Sequence, residues 1–238
     1  MTNYTKKQQK IKLEKAIEDA LNIAHNEWCV LKDYYMEENL RYVVMNEISK
    51  AQCFGDFPNK DINGNLLCFE QSYPKNKSGH KSFFKPDIVS IKLRKNGANK
   101  SINKVNPLII ELKQNASLGK IKSPPKPDLF EPNPKKQKIG PTEIKKMPSS
   151  LSTDIFKVRQ YLEEIDNIRF EFGVVIIVGT EKEFNFSYLQ EILILHQNEL
   201  KDDAGLNKNL LFAWFNPRIN KPELIWLNQK ETIKLGGY

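Results

Sequence analysis

The chain is predicted to fold as one α/β domain in which helices flank a mixed central β-sheet. Three observations lead there. Its 238 residues suffice for one sizeable core. Two runs, "PLIIELK" at 107–113 and "FEFGVVIIVGT" at 170–180, are apolar at successive positions, the pattern of strands covered on both faces. Helix-period and strand-period segments also interleave, in the order helix, helix, three strands, helix, strand, helix, two strands.

The elements follow in order. From about Thr5 to Leu31, the residues Ile11, Ile17, Leu21, Ala24, Trp28 and Leu31 recur at helical spacing. A second helix, from about Glu37 to Ala51, presents Leu40, Val43, Val44, Ile48 and Ala51, and Glu47 falls on the same face. A carboxylate there needs a cation, a donor or a metal, or else a rotation of the helix that carries it to the core's edge. After loop residues in "GDFPNKDINGN", the segment "LLCFEQSY" reads as a strand and "GHKSFFKPDIVSIKL" contains another. The Asn-Gly pair in "KNGANKSIN" returns the chain, so that "VNPLIIELK" runs antiparallel to its predecessor. Residues from about 116 to 150 are rich in Pro and Lys and lack aliphatic periodicity, as in an exposed insertion or mobile loop. "SSLSTDIFKVRQYLEEI" then opens a helix, with Ser152 or Thr153 as N-cap and Ile155, Val158, Leu162 and Ile165 as its core stripe. "FEFGVVIIVGT" is the central strand, "SYLQEILILHQNEL" a further helix, and "LLFAWFNP" with "PELIWLN" a hairpin at the sheet's edge. The N-terminal helices (about 5–51) and the insertion belong to one domain over 1–238.

Composition bounds the partners. A net charge of +8 suits a polyanion such as nucleic acid. Lys/Asn/Ile-rich usage also follows from AT-rich coding sequence, so charge alone identifies no partner. Cys29, Cys53 and Cys68 show no CxxC spacing, and the histidines form no cluster, which points to a reduced cytoplasmic protein without a zinc site. "MTNYTKKQQK" is not followed by an apolar segment of the secretory kind, and "GVVIIVG" is far too short to span a bilayer; no membrane association is expected.

The chemistry-bearing constellation lies in "KPDIV" and "IIELK". In a strand, Glu111 and Lys113 share a face and Leu112 takes the other. Across a hairpin, Asp87 and Glu111 can lie side by side at one end of the sheet with Lys113 next to them. Two convergent carboxylates are tolerable mainly around a divalent cation, and an oxygen-only donor set selects Mg²⁺ or Mn²⁺.

Pro-Asp, a hairpin, then aliphatic-Glu-x-Lys resembles the PD-(D/E)XK nuclease superfamily, and the resemblance covers most of the chain, from the helix with Glu47 through "PDIV" and "IIELK" to "DIFKVRQY". It implies a restriction-endonuclease-like core and metal-dependent endonucleolytic hydrolysis of DNA, double-stranded for preference, in restriction or defence against foreign DNA. Asp87, Glu111 and the backbone carbonyl of Leu112 would hold Mg²⁺ or Mn²⁺, and Lys113 would contact the attacking water and the phosphate. Glu47 would complete the site, directly at a second metal or through a water. Asp154, Lys157 and Tyr161, at i, i+3 and i+7 on the next helix, would be auxiliary or phosphate-contacting residues. Such a protein acts as a homodimer or as the nuclease subunit of a larger complex. The alternative is a non-catalytic nucleic-acid-binding or assembly module with a nuclease-like core.

Overall fold

A computed structural model describes residues 4–31, 37–57, 64–69, 73–74, 83–84, 86–92, 105–114, 149–163, 168–178, 190, 193–194, 196–197, 209–216 and 222–227. Helix α1 (Lys6–Leu31) opens on a capping box: Thr5 Oγ1 accepts from the Gln8 N–H at 3.3 Å, and Gln8 Oε1 accepts from the Thr5 N–H at 2.9 Å. Its buried stripe is Leu13, Ala16, Ile17, Ala20, Leu21 and Ala24. The expected stripe through Ile11 and Leu31 is corrected: Ile11 is two residues from Leu13, so it lies about 200° round the helix, and it is 59% exposed. Helix α2 (Glu37–Lys50) buries Leu40, Val43, Val44, Met45 and Ile48.

Then follow β1 (Asn65–Phe69), β2 (Tyr73–Pro74), β3 (Phe83–Phe84), β4 (Ile88–Lys92), β5 (Val105–Gln114), α3 (Ser149–Glu163), β6 (Arg169–Val178), β7 (Asn209–Phe215) and β8 (Glu223–Trp226). Six strands form one mixed sheet in the order β1-β4-β5-β6-β7-β8, while β2 and β3 pair with each other. The β4–β5 and β7–β8 pairs are antiparallel, and β6 runs parallel to both of its neighbours. This is the α/β architecture with a mixed sheet that the interleaved periodicities predict, and β7–β8 does close at the edge.

Two cores lie on opposite faces, and strand alternation divides them. Leu108, Ile110 and Leu112 of β5, with Val174 and Ile176 of β6, pack under α1 and α2. Ile109, Val175 and Ile177 pack with Ile155, Val158 and Leu162 of α3. Pro107 has no N–H for the ladder; beside it, the Asn106 side-chain oxygen accepts the Lys92 N–H at 3.0 Å.

Helix α3 begins at Ser149, so Ser152 and Thr153 lie within its first turns and do not cap it. The rest of the Lys/Pro-rich segment, the Asn-Gly turn and most of the helix expected over 187–200 lie outside the described residues. Of the last, Gln190, Leu193, Ile194, His196 and Gln197 are helical. Among the described residues no helix is long and apolar enough to cross a membrane.

Candidate active site

The site begins with a mismatch in strand length. Ile88, the first residue of β4, pairs with Ile110, but β5 continues to Gln114. The backbone beyond Ile110 therefore has β6 on one side and the end of β4 on the other. Asp87, immediately before β4, fills that end: its Oδ2 accepts the Leu112 N–H at 2.7 Å. The register that pairs Ile88 with Ile110 carries Asp87 to the level of Glu111, on the neighbouring strand.

Alternation along β5 turns Glu111 and Lys113 toward α3. Burial, reinforced by the negative charges of Asp87 and Asp154, pushes the Glu111 carboxyl up to about 9, against the smaller pull of Lys157 and Lys113. Its Oε2 is buried and has no hydrogen-bond partner. Asp87 is also raised by burial, to about 6, in spite of the Leu112 N–H and Arg41, which favour its ionised form.

Helix α3 supplies the next layer. Asp154 is buried and lies between two ammonium groups: Lys157 Nζ donates to Oδ1 at 2.5 Å, and Lys113 Nζ stands 3.2 Å from Oδ2. The second contact is an ion pair without hydrogen-bond alignment, since Oδ2 accepts no directed bond. Lys113 is thus tethered between strand and helix. The close seat of α3 depends on Gly173 of β6, where an added Cβ would stand 2.5 Å from Val158 Cγ1.

Helix α2 reaches the site with residues that the sequence reading passed over. Arg41 donates to Asp87 Oδ1 at 2.7 Å and to Glu37 Oε1 at 3.1 Å. The i, i+4 spacing of Glu37 and Arg41 was the one available signal, and it is common on helix surfaces. Glu47 is buried, as its place on the apolar face foretold, but its carboxylate meets its own helix: Lys50 Nζ at 2.5 Å and the Asn46 amide at 3.3 Å. The principal charges acting on Asp87 and Glu111 do not include Glu47. Tyr161 is 2% exposed, with its ring edge-on to Phe170 in the α3-side core. The structure therefore brings together Asp87, Glu111, Lys113, Asp154 and Lys157, adds Arg41 and Glu37, and seats Glu47 and Tyr161 elsewhere.

Among the described residues no cluster of three or more His, Cys, Asp or Glu side chains is placed to hold a metal ion. The donors at this rim are two carboxylates, which leave most of a hard cation's shell to water and substrate oxygens, as Mg²⁺ prefers. The unpartnered Glu111 Oε2 beside Asp87 fits such an ion. The chain matches no family model, no curated protein and no solved structure in the comparisons made.

Proposed function

We propose that the chain is a divalent-metal-dependent phosphodiesterase of the PD-(D/E)XK type, acting on DNA at the rim formed by Asp87, Glu111 and Lys113. The observation that carries the reading is the pairing of Asp87 with the end of β5, which leaves the buried Glu111 Oε2 without a partner next to a second acid. The reading is further supported by the succession α2, the antiparallel strands β1, β4 and β5, then α3 and β6 parallel to β5, which agrees with the helix-hairpin-strand-helix-strand order that the resemblance implies.

Asp87 and Glu111 would hold Mg²⁺ or Mn²⁺, with the Leu112 carbonyl as a further donor. When bound, such an ion supplies a water of lowered pKa and neutralises charge gathering on phosphate oxygens. The protein's own groups do the rest. Lys113, paired with Asp154, is held at the rim of the site, where it orients a phosphate oxygen or the attacking water. Lys157 shares Asp154 and keeps that buried acid compensated. The net charge of +8 supplies sequence-independent attraction for the backbone of the substrate.

Plasmid DNA incubated with the protein in Mg²⁺, Mn²⁺ or EDTA tests this. Cutting is expected with either metal, absent in EDTA, and reduced at least about a hundredfold in Lys113→Ala, the scale of losing one positioned charge in a transition state. Absence of cutting of DNA or RNA with every metal would overturn the hydrolase reading and favour the non-catalytic module.

A further inference from the structure

Arg41 holds a position that the proposed function does not explain. Its guanidinium lies at 2.7 Å from Asp87 Oδ1, while Oδ2 of the same carboxylate is fixed by the Leu112 N–H. Both side chains are largely shielded, at 15% and 14% exposure, so this pair is far less screened than a surface one. Glu37 accepts from the same guanidinium nitrogen, Nη2, from one helical turn earlier. A divalent ion at Asp87 and a guanidinium on Oδ1 are two cations competing for one oxygen.

We infer that Arg41 is the resident counter-cation of the site, a latch that occupies Asp87 until a divalent ion displaces it. This rests on the hydrolase reading and deepens it, because it makes ion binding an exchange. The guanidinium leaves Oδ1 and stays on Glu37, so the freed cation remains at the rim and the site gains the ion without losing its own charge. Arg41 is a positioning residue in this scheme: it sets how much ion is needed to form the site and touches no reacting atom in the ion-free protein.

The test reads ion binding and needs no cleavage. Mn²⁺ alone is titrated into the full chain at about pH 8.5, above the value of about 6 to which burial raises Asp87, and free ion is followed by electron paramagnetic resonance. Arg41→Gln is expected to bind Mn²⁺ about tenfold more tightly than wild type, the scale of removing one shielded competing charge. Arg41→Lys, which keeps the charge, should stay near wild type. Unchanged or weaker binding by folded Arg41→Gln would overturn the latch while leaving the hydrolase reading intact. If neither wild type nor variant binds Mn²⁺, the hydrolase reading fails, and the latch with it. Should Arg41→Gln not fold, the wild type decides alone. Only Arg41, Arg94, Arg159, Arg169 and Arg218 give arginine side-chain N–H signals, so the Arg41 resonance is resolvable during a Mg²⁺ titration. Its movement at saturation is expected; a signal that stays fixed as Mg²⁺ binds would overturn the exchange.

Discussion

Glu111 carries a carboxyl that the fold holds in its protonated form. Burial and two neighbouring acids raise it to about 9, whereas in an unfolded chain it ionises near its ordinary value of 4.5. The folded state therefore binds the extra proton between those values, and metal-free stability falls as pH rises through that window. Glu111→Gln removes this penalty. At about pH 8 the variant should unfold at higher urea than the wild type, by on the order of 2–3 kcal/mol, a figure discounted for partial solvent screening. The gap should close below about pH 4.5, where both states of the wild type carry the proton. The same variant should lose metal-dependent cutting. A wild type as stable as Glu111→Gln across this range would show that Glu111 is solvated and not confined. The acid itself was legible in the sequence from its place at the end of an aliphatic run. Arg41 was not, because nothing in a helical Glu-x-x-x-Arg says which strand its guanidinium will meet.

At the scale of elements, β5 and α3 bring the reacting groups together. β5 is readable because its aliphatic run sits between covered faces, and alternation alone assigns Glu111 and Lys113 to one side. How close α3 lies above them is a matter of packing, set by Gly173 against Val158, Leu162 and Leu210. Gly173→Val should lift the helix, destabilise the fold by about 1–3 kcal/mol as overpacking does, and separate Lys113 from Asp154. Urea unfolding together with the Lys113 dependence of cutting checks both. Near wild-type stability would mean that α3 yields without cost. The fate of Glu47 belongs at this scale too. Its helical phase foretold burial, but Lys50 lies one turn on along the same helix and satisfies it locally.

For the whole molecule, the sheet parts two cores, and the α3-side core contains a buried base as well as apolar side chains. Arg159 donates to His196 Nδ1 at 3.0 Å, and burial with the adjacent guanidinium lowers His196 to about 3. A histidine held neutral in the fold but titrating at 6.5 when unfolded makes the unfolded state the greater proton binder between those values. Stability from this group is complete above about pH 6.5 and declines as pH falls toward about 3. Wild-type unfolding free energy should drop over that range by on the order of 2–4 kcal/mol more than that of His196→Gln, which keeps an acceptor but cannot charge. Equal acid sensitivity in the two proteins would place His196 in contact with water.

Sequence by itself determined the order of the three described helices and the six strands of the main sheet, the antiparallel return of β5, the alternation that divides the two cores, and the candidacy of Asp87, Glu111 and Lys113. Each of these follows from periodicity or turn chemistry over a few neighbouring residues. Tertiary structure alone decided that Arg41 sits on Asp87, that Asp154 tethers Lys113, and that Arg159 meets His196. Those pairings depend on the register of strands, the depth of one helix on a glycine, and the low dielectric of a closed interior, which arise only when segments far apart in the chain are packed together.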